Sequence, residues 1–364
     1  MKTRILMVAI LTVATVVGGC GKKDDGGVRV IFVGTDGLRW QEVFSGVDST
    51  VMACDGIRGG DKVTELYWRG TREERREALM PFTWDFVAKN GILIGDRENG
   101  SSVGVTNKMW FSYPGWSEMV CGHPDDEVVN SNAPTPNRNV SVLEVANNTD
   151  RYKGKVLAFG SWDRFNEIIN EERAGLPVNA GFEDFPASLV PSEKEAYIHK
   201  VMEGIPGYFT TVRPDAITHE FAIEAMRSRH PELLFIGYGE TDDWAHSRRY
   251  DLSIFCCHRF DEYLRELWEY AQSDPFYRDR TIFIVSTDHG RGSRPEQWTD
   301  HGYPGVPGSD ETWLMIFGKG IPAKGSLSSG EYYTNQIAPT VAKWLGIEMP
   351  AHEGMGEPLD VDKM

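Results

Sequence analysis

Cysteine and positive charge are scarce in this sequence, and it contains no internal repeat or low-complexity tract. Only five of the 364 residues are cysteine, and no two of them have the CxxC spacing of a zinc finger or a thiol redox motif. Lys and Arg number 38 against 54 Asp and Glu, which gives a formal charge of -16. Nonspecific nucleic-acid binding depends on basic side chains that neutralise phosphates, so we expect no nucleic-acid partner.

The rest of the composition is ordinary for a globular protein, with 40% hydrophobic and 25% charged residues. A chain of this length predicts one large domain, and a segment rich in Pro, Gly and charge at about 165–210 is interpreted as a possible lid or insertion. The acidic charge does not exclude phosphorylated small molecules as ligands. Bound divalent cations would reverse the local sign of an acidic site.

The N-terminus has the organisation of a secretory signal. Lys2 and Arg4 precede an apolar run at 5–17, which is too short to span a membrane. Residues 17–20 read Val-Gly-Gly-Cys and resemble the lipobox of bacterial lipoproteins. The resemblance implies a signal peptide at 1–19, lipidation of Cys20, a tether at 20–27, and lipid anchoring to an extracytoplasmic membrane face of a bacterium. An ordinary signal peptide with a chance cysteine is the alternative. Disulfides are permitted in that compartment, among Cys54, Cys121, Cys256 and Cys257.

Three apolar runs end in side chains that are typical metal ligands. The runs at 28–34, 233–238 and 281–285 have the β-rich character of buried strands in an α/β sheet. A carboxylate follows each run within a few residues and histidines lie close behind, which gives Asp36, Asp242, His246, Asp288, His289 and His301. Asp242 and His246 are four residues apart, so one helical turn places both on the same face. Ligands in such folds gather beyond the carboxyl ends of the strands, and we therefore expect a metal site there.

The ligand types indicate which metal the site would hold. Six nitrogen and oxygen ligands without thiolate suit two borderline divalent ions, with zinc preferred and manganese as the alternative. A calcium or magnesium cage made of oxygen would not use three imidazoles. Two such ions a few Å apart are able to hold the attacking and leaving oxygens of a displacement at phosphorus.

A candidate nucleophile lies in the run Ser112-Tyr113-Pro114. Proline two positions after Ser112 suits the opening of a helix, where free N–H groups and the positive end of the helix dipole favour an alkoxide or a bound phosphate. The alternative is that Ser112 only caps the helix.

The ordered set of Asp36, Ser112 and the five later ligands resembles the alkaline phosphatase superfamily, and within it the nucleotide pyrophosphatase/phosphodiesterase branch. The resemblance covers residues 28 to about 345 and implies a catalytic domain at 28–364. It implies a three-layer α/β sandwich with a mixed, largely parallel sheet between helices. It also implies that Ser112 is the nucleophile, that Asp36, Asp288 and His289 hold one metal, and that the second is held by Asp242, His246 and His301.

The sequence departs from that branch around the nucleophile. Gly115 stands where the branch has an Asn that contacts a phosphoryl oxygen, so Asn107 or the backbone is expected to substitute. Trp116 stands where formylglycine sulfatases have an Arg, which argues against a sulfatase. The gap between Ser112 and Asp242 is too short for the inserted domain of cofactor-independent phosphoglycerate mutases.

These observations predict a metal-dependent hydrolase of phosphoric esters that acts through a phosphoserine. Aromatic residues surround Ser112 and only one basic residue, Lys108, is nearby in sequence, which favours diester substrates with room for a second organic group. Lys108, Asn107 and Arg291 are the predicted substrate-binding residues. The alternatives are a phosphomonoesterase or phosphotransferase of the same superfamily, and a metal-bearing lipoprotein that binds phosphorylated ligands without turnover.

Overall fold

A computed structural model of the chain describes residues 27–302 and 304–364. The predicted signal peptide at 1–19, the lipidation site Cys20 and the tether as far as residue 26 lie outside these residues. Across the described chain, no helix combines the length and the apolar character needed to cross a bilayer. The four cysteines of this part of the chain are free thiols.

Groups of helices and strands follow one another along the chain. The strands are β1 (Arg29–Thr35), β2 (Gly91–Ile94), β3 (Ser101–Gly104), β4 (Val156–Gly160), β5 (Val178–Ala180), β6 (Leu233–Tyr238), β7 (Thr281–Thr287), β8 (Glu311–Thr312), β9 (Leu314–Gly318), β10 (Gly325–Ser326) and β11 (Gly330–Tyr333). The helices are α1 (Trp40–Ser45), α2 (Ser49–Met52), α3 (Gly60–Tyr67), α4 (Arg72–Leu79), α5 (Ala88–Asn90), α6 (Ser112–Cys121), α7 (Val142–Asn147), α8 (Phe165–Ile169), α9 (Glu171–Ala174), α10 (Glu193–Glu203), α11 (Asp215–Arg229), α12 (Glu240–His246), α13 (Tyr250–Ser273) and α14 (Ile337–Leu345).

The main sheet has eight strands in the order β10-β2-β9-β7-β1-β6-β4-β5. Strands β7, β1, β6, β4 and β5 are parallel to one another, and β9 runs antiparallel to both of its neighbours. A smaller sheet has the order β11-β3-β8. The predicted fold class, an α/β sandwich with a mixed and largely parallel sheet, is confirmed.

The hydrophobic core lies on both faces of the main sheet. Side chains of a strand alternate between the faces, so Ile31 and Val33 of β1 join one cluster and Val30 and Phe32 join the other. The first cluster contains residues of α11 and α13, and the second contains residues of α6, α7 and α14. Central strands that are buried on both faces read as continuous apolar runs, which explains why the sequence reveals them.

The segment at 165–210 is partly an edge of the main sheet. Its β5 pairs in parallel with β4, and α10 follows with a capping box at Ser192. Strand β5 is three residues long and gives no clear periodicity in the sequence. In the part of the chain that the structure describes, strands β8, β9, β10 and β11 follow β7 with no α-helix between them.

Candidate metal centre

The predicted ligands lie at the carboxyl ends of three neighbouring strands. Strand β1 lies between β7 and β6, with Thr35 level with Thr287 on one side and Tyr238 on the other. Asp36 follows β1 directly and Asp288 follows β7 directly, while Asp242 lies on α12, which begins just after β6. The topology therefore brings together residues that are more than 200 positions apart in the chain.

The six residues form two groups of three. Asp36, Asp288 and His289 offer ligand atoms within 4.8 Å of one another, and so do Asp242, His246 and His301. In the first group, His289 Nε2 lies 3.2 Å from Asp36 Oδ1 and 3.6 Å from Asp288 Oδ2. We call these two sets the buried group and the outer group, because all three residues of the first are buried whereas the His246 side chain is 44% exposed.

The outer group is held together by its histidines. His246 Nε2 lies 3.1 Å from Asp242 Oδ2 and 2.9 Å from His301 Nε2. His301 Nε2 is 3.6 Å from Asp242 Oδ1. Two imidazole nitrogens and a carboxylate that converge in this way are a suitable partial ligand set for zinc.

One buried polar atom indicates that the buried group fits a metal. Asp288 Oδ2 is buried and has no hydrogen-bond partner among the described residues. Such an atom is costly unless a ligand or an ion satisfies it. His289 Nδ1 is bonded at 2.7 Å to the Gly290 carbonyl, which leaves its Nε2 to face the carboxylates as a metal-binding imidazole does.

The electrostatics of the buried group point the same way. Burial, followed by the charge of Asp242, raises the pKa of Asp36, and burial with the charge of Asp36 raises the pKa of Asp288 well above its usual range. Burial opposes the charged form of His289, but the carboxylates of Asp288 and Asp36 raise its pKa to about 9. The protein therefore concentrates negative charge that a divalent cation would stabilise.

Ser112 lies at the edge of the buried group. It is the first residue of α6, a helix whose ten residues are all buried. Its Oγ is 3.3 Å from His289 Nε2 and 3.4 Å from Asp36 Oδ1. The positive end of the helix dipole therefore lies at the hydroxyl, and the hydroxyl lies at the candidate metal site.

Close packing between α6 and the sheet fixes the position of Ser112. Trp116 packs against Gly34 of β1, where a Cβ would lie 2.3 Å from the indole ring, and its Nε1 donates to Asp36 Oδ2 at 3.2 Å. Gly115 packs against β7, because a Cβ there would lie 2.3 Å from the Asp288 carbonyl oxygen. No side chain fits at Gly115, so position 115 supplies no side-chain amide to a substrate.

Asn107, which the sequence predicts to contact substrate, has a structural role instead. Its Oδ1 accepts from the backbone N–H groups of Met109 and Trp110, and its Nδ2 donates to Glu118 at 2.9 Å. The buried Glu118 carboxylate also accepts from the backbone of Thr106 and Asn107. The loop before the nucleophile is thus tied to α6.

Asn132 lies next to the nucleophile, and sequence reasoning missed it. Its Oδ1 accepts from the Tyr113 backbone N–H at 3.0 Å, and its amide group has no hydrogen-bond partner among the described residues. Arg164 Nε donates to the Asn132 carbonyl at 3.2 Å and also pairs with Asp163. Asn132 is 20 residues beyond Ser112 in an exposed loop, and no local pattern marks it.

The basic residues near the candidate site differ in exposure and in ion pairing. Arg291 is buried and pairs with Asp242, and Arg39 is buried and pairs with Glu42, so neither guanidinium is free for a phosphate. The prediction that Arg291 binds substrate is therefore corrected to a contact with a candidate metal ligand. Lys108 is exposed, and its ammonium has no ion-pair partner in the described part of the chain.

Two carboxylates that the sequence did not single out position α12. Asp215 accepts from the backbone N–H groups of Gly239 and Glu240 at 2.8 and 3.2 Å, and Glu240 Oε2 accepts from the Asp215 N–H at 2.7 Å. Each residue therefore caps the helix that the other begins. Ser161, at the end of β4, donates to Asp215 at 2.6 Å and connects the pair to the sheet.

Comparisons with known proteins agree with this geometry. Residues 178–349 match the family model described as "Metalloenzyme superfamily". The matched segment contains the three ligands of the outer group together with Asp288 and His289, whereas Asp36 and Ser112 precede it. No curated protein sequence matches the chain significantly.

Solved structures share the fold at low sequence identity. The alkaline phosphatase PafA has a TM-score of 0.57 at 11% identity, over 92% of this chain and 98% of its own. The phosphonate monoester hydrolase SpPMH from Silicibacter pomeroyi has a TM-score of 0.56 at 12% identity, over 91% of this chain and 76% of its own. The lipoteichoic acid synthase LtaP from Listeria monocytogenes has a TM-score of 0.56 at 11% identity, over 91% and 74%. The fold is thus alkaline-phosphatase-like.

Proposed function

We propose that this protein is a metal-dependent phosphoric ester hydrolase of the phosphodiesterase type that acts through a covalent phosphoserine at Ser112. One observation carries the proposal. The Ser112 hydroxyl lies at the start of a buried helix, within 3.4 Å of an aspartate and 3.3 Å of a histidine that belong to a candidate metal group. A second candidate metal group shares the same strand ends.

The proposed cofactors are two divalent ions, one for each group of three ligands. Asp36, Asp288 and His289 would hold one divalent ion and the outer group the other, with zinc preferred over manganese. When bound, the two ions would stabilise charge on the attacking and leaving oxygens.

The chain's own residues supply the nucleophile and its positioning. Ser112 Oγ forms a bond to phosphorus as the bond from phosphorus to the leaving oxygen breaks, and Asp36 Oδ1, 3.4 Å from Oγ, is the carboxylate oxygen within reach of its proton. Water then attacks the phosphoserine and restores the hydroxyl. The positive end of the α6 dipole lies at Ser112, and Trp116 Nε1 donates to Asp36 and holds its carboxylate in place.

The distribution of positive charge supports diesters over monoesters. A monoester dianion leaves more charge to neutralise than a diester does, yet the buried guanidinium groups of Arg39 and Arg291 are already paired with carboxylates. Around Ser112, the aromatic side chains of Trp110 and Phe111 are partly exposed and offer apolar surface to a second organic group.

Two observations bear on the alternatives. Arg164 lies beside Asn132 near the nucleophile, and this favours a monoesterase or phosphotransferase as the second candidate if its guanidinium leaves Asp163 for substrate. A lipoprotein that binds phosphorylated ligands without turnover would not need Ser112 in contact with the metal group.

The deciding experiment compares kcat/KM for aryl phosphate monoesters and diesters with the same leaving group. We expect the diester to be preferred. A monoester preference beyond about tenfold, roughly 1.4 kcal/mol of differential transition-state binding, would contradict the diesterase assignment. Absence of turnover of both esters, with metal bound, would favour the noncatalytic alternative.

We also propose that lipid at Cys20 anchors the protein to an extracytoplasmic membrane face, on the support of the sequence pattern at 17–20. Cys20→Ser should move the protein from the membrane to the soluble fraction of the same compartment. Retention of the variant in the membrane fraction after a carbonate wash would reject lipid anchoring at this residue.

A further inference from the structure

We propose that Arg291 makes the two metal groups unequal, so that the outer group binds its ion weakly and exchangeably while the buried group binds tightly. This inference rests on the proposed function, because it concerns the same two groups. It assigns Arg291 a charge-tuning role that the metal ligands alone do not show.

The first step is the position of Arg291. Its side chain is 2% exposed and is fixed by three contacts, with Nε donating to the Trp298 carbonyl at 2.8 Å and Nη2 to the Thr299 carbonyl at 2.7 Å. The third contact is an ion pair between Nη1 and Asp242 Oδ1. Two backbone carbonyls hold the guanidinium in place, so it does not swing away to meet a substrate.

The second step is the close packing around the ion pair of Arg291 and Asp242. Gly37 has φ +59°, and a Cβ there would lie 2.5 Å from Asp242 Oδ1 and 2.9 Å from Arg291 Nη1. The chain thus keeps a left-handed glycine at the point where the pair is packed. The same Gly37 donates its N–H to Asp288 Oδ1 at 3.0 Å. One glycine therefore contacts both the pair of Asp242 and Arg291 and a ligand of the buried group.

The third step is the charge at each group. Asp36 and Asp288 bring two negative charges to the buried group, and no Lys or Arg among the described residues pairs with either. Asp242 is the single carboxylate of the outer group, and Arg291 already neutralises one of its oxygens. A guanidinium stays charged at any physiological pH. A divalent ion at the outer group therefore gains less Coulomb energy, and it also has a cation as a close neighbour.

The fourth step is access. All three ligands of the buried group are buried, whereas the outer group opens to solvent through the 44% exposed His246. Weak binding and an open side together predict rapid exchange of the outer ion. The enzyme would then respond to the free metal concentration through the outer group alone.

The test is a titration of the metal-stripped full-length protein with Zn²⁺ against a chromophoric chelator. We expect two binding events at least about tenfold apart in affinity, the size of effect known for residues that contact metal ligands. His246→Ala should abolish the weaker event and leave the tighter one. Two events of equal affinity, or loss of the tighter event in this variant, would overturn the proposal.

Substitutions at position 291 test the role of its charge. Arg291→Gln removes the charge but keeps donors, and it should tighten the weaker event about tenfold or more without changing the other. Arg291→Lys should leave that event weak, and Arg294→Gln, at an exposed arginine three positions on, should change neither. Weaker binding in Arg291→Gln would show that Arg291 only orients Asp242, and would refute the charge role. If Arg291→Gln does not fold, as judged by circular dichroism, the uncharged Arg291→Met replaces it, and the wild-type and His246→Ala titrations still test whether the two events are unequal. A protein that binds no metal at all would reject the proposed function itself.

Discussion

Asp215 and Glu240 each cap the helix that begins at the other residue. The carboxylate of Asp215 accepts from the N-terminus of α12, and the carboxylate of Glu240 accepts from the N-terminus of α11. Helix α12 is only seven residues long and carries both Asp242 and His246. This reciprocal capping therefore determines where two of the three outer ligands lie.

The first prediction tests that relationship. Asp215→Ala removes the acceptors for Gly239, Glu240 and Ser161, and it should lower stability by about 1 to 2 kcal/mol, as loss of a helix cap does. It should also weaken the outer metal event about tenfold in a Zn²⁺ titration. Burial, followed by the charge of Glu240, raises the pKa of Asp215 to about 8. The neutral Asp215→Asn is therefore the control, and its effect should be smaller than that of Asp215→Ala. An unchanged outer event in Asp215→Ala would show that α12 does not need this cap.

The second prediction concerns metal content. The wild-type protein should contain about two zinc or manganese ions per chain by elemental analysis, and His301→Ala should lose one of them, because His301 belongs to the outer group. His230→Ala is the matched control, since His230 pairs with Asp274 away from both groups. Calcium or magnesium alone, with activity insensitive to chelation, would contradict the assignment.

The third prediction concerns the nucleophile. Ser112→Ala should reduce kcat by at least about a thousandfold, roughly 4 kcal/mol in barrier, with metal content and Tm nearly unchanged. Ser117→Ala, in the same helix, removes a buried hydroxyl that accepts from Asn137 and should keep most of the activity. Activity within about threefold of wild type in Ser112→Ala would show that Ser112 is not the nucleophile and is only the first residue of α6.

The fourth prediction concerns Asn132. Its amide group, which has no hydrogen-bond partner among the described residues, lies beside the residue after the nucleophile, where it is able to donate to a nonbridging oxygen. Asn132→Ala should lower kcat/KM about 10- to 100-fold, roughly 1.4 to 2.7 kcal/mol. Asn130→Ala is the control, because the Asn130 amide donates to carbonyls of its own loop. Equal kinetics of the two variants would remove Asn132 from the site.

The fifth prediction is that the metal-free protein loses stability as pH rises from 7 to 9. Asp36 and Asp288 have raised pKa values in the folded state. They therefore lower the free energy of unfolding progressively as pH rises above their ordinary pKa of 3.8. His289 contributes stability that is complete below its ordinary pKa of 6.5 and is lost as pH rises through about 9. These contributions have the same sign.

Asp242 does not reverse that trend. Burial raises its pKa, but the charge of Arg291 outweighs burial and holds the pKa well below 3.8. Its contribution is therefore complete above pH 3.8 and constant between pH 7 and 9. One pKa unit corresponds to about 1.4 kcal/mol, so His289 alone accounts for on the order of 3 kcal/mol. Thermal unfolding of chelated and metal-loaded protein checks this, and equal pH dependence of the two Tm values would contradict it.

Much of the fold and the ligand set was predictable because central strands have a simple pattern. Strands β1, β6 and β7 are buried on both faces and read as apolar runs, and the residues directly after them are the candidate ligands. The order of the strands was not predictable from those runs. That order makes β1 the neighbour of both β6 and β7, and so it brings Asp36 between the other two carboxylates.

The contacts around the ligands were harder to predict because they depend on tertiary packing. Arg291 follows the Asp288-His289-Gly290 motif and looked like a phosphate contact, but its side chain turns to Asp242. Asn132 and Asp215 lie in loops or at helix starts, where the sequence indicates a polar residue but not its partner. The short β5 gave no signal because three residues are too few to show a period.

The end of β1 meets three separate structural demands in four residues. Gly34 admits Trp116 of the nucleophile helix, Asp36 joins the buried group, and Gly37 lies under the pair of Asp242 and Arg291. A side chain added at either glycine would disturb the nucleophile or both metal groups together. This stretch therefore has almost no freedom to vary, and related chains that act on other substrates are expected to differ instead in the exposed residues around Asn132 and His246.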